Sequence, residues 1–334
     1  MTQPPVTAIL PVRDAETTLP RALRSLLNQT CPLHEVIVAL NGCQDRSPEI
    51  AASFASENKS IRLIETPASE GVAGASRRAC AEARNELLFR LDADDEAHPG
   101  RLAAQLAILL NHDADLVTSR IVVPDALGAG ILRYVSWANH LKQPQDFAKE
   151  RFVESPVIQP GTLMKKETYL RAGGYRVEDG PEDYDLWLRM LEAEMRFYQA
   201  EDAIHYWHDS STRLTRSHLD YSKNLMTLAK ARALNILAQR QKKTFLIAGA
   251  GPQGRRMVRH LQALGASIKG VFDVDPKKIG SKVHDVPVYP SEAMPPLLSQ
   301  AILLGCVGHA GRARVRALAL EAGCREGVDF FACC

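Results

Sequence analysis

Leu87 to Asp95 reads LLFRLDADD, an apolar run that ends in three acids. Side chains alternate along a strand, so Asp92 and Asp94 are expected on one side and Asp95 on the other. Two carboxylates that converge where a parallel strand leaves its sheet repel each other unless a cation lies between them, and that edge is where open α/β sheets bind ligands. Mg²⁺ or Mn²⁺ suits such oxygen donors and would join them to the phosphates of a substrate. The competing role is capping of the helix that opens near Pro99. A second acidic group lies in GGYRVEDGPEDYDLWLRM. Glu182 and Asp183 fall at the start of a helix whose Leu186, Trp187 and Met190 form an apolar face, and a helix N-terminus favours carboxylates. That local role accounts for the pair unaided; a catalytic role gains weight from the first acidic group.

A third constellation follows Thr244. Phe245 to Gly254 reads FLIAGAGPQG, a strand followed by Gly249-x-Gly251-x-x-Gly254 and a helix. Glycines at these places permit a tight turn, close approach of a phosphate and close packing of helix on strand. Asp273 ends the next apolar run, at the spacing of an acid that binds a ribose. Pro252 departs from the NAD fingerprint, and the chain ends at Cys334 with no second catalytic segment. A binding or interaction module is expected rather than a reductase, with an NAD-like nucleotide as its candidate ligand.

Groups at strand ends need a sheet to present them. The first 120 residues alternate short apolar runs with amphipathic stretches, the pattern of a parallel sheet with crossover helices. Strands are expected at Val6 to Pro11, Glu35 to Leu40, Ile61 to Glu65, Leu87 to Leu91 and Asp115 to Ser119. Helices are expected at Thr18 to Asn28, Ser47 to Glu57, Gly74 to Ala83, Pro99 to Asn111 and Pro181 to Ala193. Between Arg120 and Arg176 the rhythm gives way to segments rich in Pro, Gly and aromatics, which suit a substrate pocket. Ser217 to Lys243 reads as one long connecting helix. The expected fold class is α/β, with domains at 1–216 and 244–334 joined by a helical connector at 217–243.

Composition agrees with two folded units: 334 residues at ~150 per domain, with 46% apolar and 24% charged residues. Disordered and fibrous classes are excluded. A formal net charge of +2 announces no nucleic-acid partner and no strong field for anionic membranes. Seven cysteines without a Cys-x-x-Cys pair suggest neither a disulfide framework nor a zinc site and fit a reducing cytoplasm. No run approaches the ~20 apolar residues of a membrane span, and the opening residues meet charge too early for a signal peptide. A lipid-linked substrate would be met from the cytosolic side, with at most peripheral contact with the inner face of the membrane.

Five segments in order, VTAILPVRDAETTLPRALRSLLNQT, HEVIVALNGCQDRSPEI, GVAGASRRACAEARNELLFRLDADD, PGTLMKKETYLRAGGYR and PEDYDLWLR, resemble the family 2 glycosyltransferases of the GT-A fold. The resemblance covers about residues 5 to 215. It implies a mostly parallel sheet flanked by helices, and inverting transfer of a sugar from a nucleotide-diphosphate donor to an acceptor hydroxyl. Asp92 and Asp94 match the family's Asp-x-Asp and would bind donor ribose and metal. Asp183 matches the acid of its Glu-Asp motif and would be the general base. Val12 and Asp14 stand where the family contacts base and ribose, with helix capping as the other role for Asp14. Where the family usually shows paired acids before glycine, this chain has Leu40-Asn41-Gly42; the Asn41 amide can still bind a base edge. Asp45 matches the later acid of that motif, with turn formation as its other role. Where the family often carries Ala-Arg-Asn, the chain reads Ala75-Ser76-Arg77, which places an arginine one residue along a helix start. HYWHDSSTRLTR resembles the family's aromatic-x-His segment, with His208 as metal or diphosphate contact and His205 as the less favoured twin. Gly161, Thr162, Gly174, Tyr175 and Glu182 would shape the pocket for acceptor and donor sugar.

The C-terminal unit resembles the Rossmann-type domain at the front of PglD-type sugar acyltransferases. The implied setting is cell-surface polysaccharide synthesis, with a nucleotide-sugar donor, probed first as a UDP-sugar, and a glycan or lipid-linked acceptor. Absence of a Gln-x-x-Arg-Trp pattern suggests addition of one sugar at a time. Two rivals are carried forward: an NAD(P)-linked nucleotide-sugar oxidoreductase acting through Gly249, Gly251, Gly254 and Asp273, and a nucleotide-binding scaffold without catalysis. A homo-oligomer is compatible with this reading.

Overall fold

A computed structural model describes residues 3–124, 127–176, 180–208, 221–294 and 300–334. Internal contacts divide the chain in two. Met1–Pro144, Val157–Glu178 and Glu182–Ser217 form the first unit; Gln145–Pro156, Asp179–Pro181 and His218–Cys334 form the second. The expected boundary at 216/217 lies outside the described residues.

The first unit is built on one sheet. Its strands are β1 (Val6–Val12), β2 (Glu35–Asn41), β3 (Ile61–Thr66), β4 (Leu87–Arg90), β5 (Glu96–Ala97), β6 (Leu116–Val122), β7 (Thr162–Lys165) and β8 (Phe197–Tyr206), in the order β3-β2-β1-β4-β7-β6-β8-β5. β1 to β4 run parallel, β7 runs against both β4 and β6, and β8 runs with β6. Every residue of β1 and β2 is buried, as expected of parallel strands covered on both faces. Helices α1 (Leu19–Leu27), α2 (Ser47–Glu57), α3 (Gly71–Glu82) and α4 (Arg101–Asn111) alternate with these strands. α1 shows the rule: Leu19, Ala22, Leu23 and Leu26 fall on one face and are buried in the core with Val38 and Phe89. Each of the three leucines contributes ~1.5–3 kcal/mol on burial.

Strand direction decides what meets at the sheet edge. Parallel β1, β2, β3 and β4 deliver their C-terminal ends to one side, and β6 and β8 deliver theirs to the same side. The order reverses between β1 and β4, which is the crevice where open α/β sheets take ligands. The irregular segment holds α5 (Ala129–Ala138), α6 (Pro144–Glu150) and α7 (Lys166–Arg171), and α8 (Glu182–Glu192) follows it.

The second unit has a six-stranded sheet: β9 (Thr244–Ala248), β10 (Ile268–Asp273), β11 (Lys282–Val283), β12 (Val286–Pro290), β13 (Ala301–Gly305) and β14 (Phe330–Ala332), ordered β11-β12-β10-β9-β13-β14. The helix Pro252–Ala263 follows β9, and the helix Lys223–Gln241 packs against it. Ser222 caps that second helix by accepting the Leu225 N–H at 3.3 Å.

Candidate active site

β4 ends at Arg90, and a turn follows in which the Asp95 N–H donates to the Asp92 carbonyl at 3.2 Å. The alternation expected to send Asp95 away therefore stops with the strand. Among the described residues, Asp92, Asp94 and Asp95 each place one carboxylate oxygen within 4.8 Å of the others. Such a donor set fits a hard divalent cation. Asp92 and Asp94 keep partial exposure and Asp95 is buried. Arg90, also buried, sets its Nη2 2.8 Å from Asp92 Oδ1.

Of the two histidines, the less favoured one is inside. His205, on β8, is fully buried with Nε2 3.0 Å from Asp95 Oδ2. His208 donates its backbone N–H to Asp95 Oδ1 at 3.1 Å, while its ring lies 3.8 Å from Glu96 Oε2 and outside the cluster of three acids. Burial and the charge of Arg21 lower the His208 pKa. The structure thus ties His208 to the acidic loop through its backbone N–H.

Glu182 and Asp183 open α8, whose Leu186, Trp187 and Met190 are buried. The Asp183 carboxyl is pushed up to about 8, first by burial, then by the charge of Glu182 beside it, with Asp92 adding to the rise. The Tyr184 N–H, donated at 2.7 Å, opposes this. The two acidic motifs, 91 positions apart in the chain, therefore lie within electrostatic reach of each other.

At the ends of β1 and β2, Val12 is buried and Asp14 adopts φ +48°. Asp14 does not cap α1: its Oδ1 accepts the Gln44 N–H at 2.7 Å, so it joins the β1 and β2 loops. Asp45 is a loop-former too, accepting the Glu16 and Ser47 N–H groups at 2.8 and 2.9 Å. Asn41 is buried, and its Nδ2 donates to Thr66 Oγ1 at 3.0 Å and to the Pro67 carbonyl at 2.7 Å. A carbonyl only accepts, so the amide orientation is fixed, and Asn41 Oδ1 is left without a protein partner among the described residues. An aspartate here would face the Pro67 carbonyl acceptor to acceptor, which explains the departure from an acid. Arg77 corrects an expectation: α3 begins at Gly71, so Arg77 stands near its middle. It is exposed there and its charge reaches Tyr169.

The pocket residues separate into two kinds. Gly161 and Thr162 are buried; the Gly161 carbonyl accepts from Gln105 Nε2 at 2.9 Å and Ser119 Oγ at 2.8 Å, and Thr162 Oγ1 donates to the Gln159 carbonyl at 2.9 Å. They brace the sheet from within and do not present side chains to a ligand. Gly174 has φ +61°, and a Cβ there would stand 2.8 Å from the Tyr169 ring. Tyr175 is buried against that ring, its N–H donating to Tyr169 Oη at 3.1 Å. Burial raises the Tyr175 hydroxyl well above its usual range, and the charge of Arg90 partly opposes this. Trp137 and Trp207 pack around Ile121, Val135, Ala138 and Ile158 as a small apolar cluster.

In the second unit, a Cβ on Gly249 would come 2.6 Å from the Cys306 carbonyl and one on Gly254 would come 1.8 Å from the Gly249 carbonyl. Both glycines are required by packing. Gly251 faces open space. Asp273 accepts the Ala250 N–H at 2.7 Å and the Asp275 N–H at 2.9 Å, with Lys278 Nζ at 3.3 Å. These donors hold its carboxyl below the usual range against the opposing effect of burial. Asp273 thus folds the glycine loop.

Residues 7–170 match the model of glycosyl transferase family 2. The first unit is a family 2 glycosyltransferase. Among curated relatives, EpsE of Bacillus subtilis, assigned as a glycosyltransferase, is 27% identical over 224 residues, covering 66% of this chain and 78% of its own. The O-antigen biosynthesis glycosyltransferase WbnJ of Escherichia coli is 24% identical over 188 residues, 56% of this chain and 71% of its own. Solved structures share the fold: S. aureus TarS in complex with UDP at TM-score 0.52 and 15% identity, over 70% of this chain and 72% of that one. Mannosyltransferase PcManGT from Pyrobaculum calidifontis, solved with GDP-Man and Mn²⁺, aligns at TM-score 0.50 and 18% identity, over 78% and 70%. Residues 240–297 match a CoA binding domain model, in keeping with the Rossmann-like second unit.

The glycosyltransferase unit also uses residues not singled out at first. Arg90 was visible as a charge inside the apolar run LLFRL. Arg21, whose Nη2 donates to the Asp94 carbonyl at 2.7 Å, carries no such signal, because the contact spans 73 positions. Among the described residues, no helix is long and apolar enough to cross a membrane.

Proposed function

We propose that this family 2 glycosyltransferase moves one sugar, with inversion, from a nucleotide-diphosphate donor to a hydroxyl of a glycan or lipid-linked acceptor of cell-surface polysaccharide. The carrying observation is the cluster of Asp92, Asp94 and Asp95 carboxylates just past β4, a donor set suited to a divalent cation. The charge of Asp92 adds to the rise of the Asp183 carboxyl, which supports reading the two motifs as one site. Asp92 and Asp94 would hold Mn²⁺ or Mg²⁺, and the cation would stabilise negative charge on the departing diphosphate. Asp183, once ionised, takes the acceptor proton; burial makes it a stronger base than an exposed carboxylate. Asn41, at the end of β2, stands where the resemblance puts the contact to the donor base, with uracil as the first base to probe. UDP-sugars are thus the first donors to test, and TarS has been solved with UDP-GlcNAc. By the same resemblance, Val12, Asp14 and Arg77 would serve the nucleotide, and Gly174, Tyr175 and Glu182 the acceptor side.

The second unit serves as an accessory module. Asp273 is engaged with its own loop, which speaks against an NAD(P)-linked oxidoreductase; a nucleotide in this unit would meet Gly251. Peripheral contact with an anionic membrane fits the charge distribution: residues 221–334 hold 17 Lys and Arg against 7 Asp and Glu. Arg255, Arg256 and Arg259 line an open groove with Pro252 and His284. Screening UDP- and GDP-sugars for Mn²⁺-dependent release of nucleoside diphosphate tests the proposal. Release by the wild type and loss in Asp183→Asn with nucleotide binding kept is expected; binding without turnover of any donor would return the scaffold reading.

A further inference from the structure

Beneath the acidic loop lies a buried polar network that the transfer reaction does not itself use. Arg101, the first residue of α4, is fully buried and places its guanidinium 3.9 Å from the centroid of the Phe89 ring. Its Nη1 lies 2.8 Å from His205 Nδ1, and its Nη2 donates to the Arg90 carbonyl. Arginine only donates, so His205 Nδ1 accepts, and the imidazole hydrogen is therefore on Nε2, where it is donated to Asp95 Oδ2. Asp95 Oδ1 in turn accepts the His208 N–H. One carboxylate thereby joins the exit of β4 to the end of β8, and one guanidinium holds the histidine that orients that carboxylate. Arg90, whose carbonyl Arg101 grips, carries the same scaffold on to Asp92 at 2.8 Å.

We infer that Arg101 and His205 are positioning residues for the donor-metal site, acting through Asp95 and Arg90 on the geometry of Asp92 and Asp94. The inference rests on the reading of Asp92 and Asp94 as the metal-binding pair. Two features distinguish this network from ordinary core packing. It has a defined hydrogen-bond direction, guanidinium to imidazole to carboxylate, and it ends on both sides of the loop that carries the two candidate ligands. Groups that orient metal ligands affect affinity without touching the metal, typically by ~10- to 100-fold.

The test measures Mn²⁺ affinity of the full chain by electron paramagnetic resonance, without donor, beside its Tm. His205→Leu is expected to weaken Mn²⁺ binding by ~10-fold or more. His205→Gln, whose amide N–H can reach Asp95 and whose carbonyl can face Arg101, is expected to restore most of it. Leu109→Ala, in the core on α4, lowers Tm and leaves the affinity in place. Should His205→Leu fail to fold, Arg101→Lys carries the test: a single ammonium cannot span His205 and the Arg90 carbonyl as the guanidinium does, and ~10-fold weaker binding is expected. Wild-type affinity in His205→Leu, or in Arg101→Lys when it stands in, overturns the inference. So does a loss in Leu109→Ala and His205→Gln that follows Tm alone. If the wild type takes up no Mn²⁺, the reading of Asp92 and Asp94 has failed, and the inference with it.

Discussion

Replacing Asp183 by Asn separates what its carboxyl does for catalysis from what it costs the fold. The group rises from an ordinary 3.8 to about 8. A folded-state pKa above the unfolded one means that stability is fully present below the unfolded value and is lost as pH rises through the folded one. Between pH 5 and pH 8 the loss is bounded at about 4 kcal/mol, from ~1.4 kcal/mol per unit. Residual solvent and the neighbouring Glu182 reduce this bound, and about 1 kcal/mol is enough to move Tm by ~2–4 °C. Asn removes the titration without changing the shape. In metal-free buffer with EDTA, Asp183→Asn should match the wild type near pH 4, gain Tm relative to it as pH rises, and reach a constant advantage above pH 8. The same variant should lose ~10²- to 10⁴-fold in kcat. Scanning calorimetry across pH and single-turnover kinetics check the two arms. An advantage independent of pH, or turnover kept within a factor of a few, would refute the reasoning.

Three further expectations come from named contacts. Asn41→Asp sets a carboxylate against the Pro67 carbonyl and should cost ~1–3 kcal/mol near neutral pH; the loss shrinks in acid, where the protonated group can donate again, as denaturant melts at pH 4 and pH 7 would show. Gly254→Ala puts a methyl 1.8 Å from the Gly249 carbonyl and should destabilise the second unit by about 3 kcal/mol, read from urea unfolding; unchanged stability would mean that the glycine loop is not closed as described. Arg255→Glu with Arg256→Glu should weaken sedimentation with vesicles containing phosphatidylglycerol by more than tenfold at low salt, at ~1 kcal/mol per basic residue. Equal sedimentation of the double variant and the wild type would remove the groove from any membrane role.

Much of the first unit was legible because β1, β2 and β4 are short, continuous and buried throughout. Val6, Glu35, Ile61 and Leu87 begin strands as expected. The start of α3 was missed by three residues, because Gly71 and Gly74 weaken the helical pattern over the turn that Gly71 opens at φ +57°. Alternation put Asp95 on the wrong side, since the chain turns at Asp92 instead of continuing as strand. His205 and Arg101 meet across 104 positions, and no local periodicity records such a pair. Thr162 and Gly161 looked like pocket residues by resemblance but serve the sheet, their polar groups being spent on Gln159, Gln105 and Ser119. The charge contrast was present in the composition and was hidden by averaging. The net +2 of the whole chain combines a basic C-terminal third with an acidic remainder.

The most direct measurement is a crystal structure of the full chain soaked with Mn²⁺ and UDP, with the metal located by its anomalous signal. The account predicts manganese bound by Asp92 and Asp94, joined to the diphosphate, with uracil against Asn41. Manganese absent from those two carboxylates, with the nucleotide seated elsewhere, would contradict it.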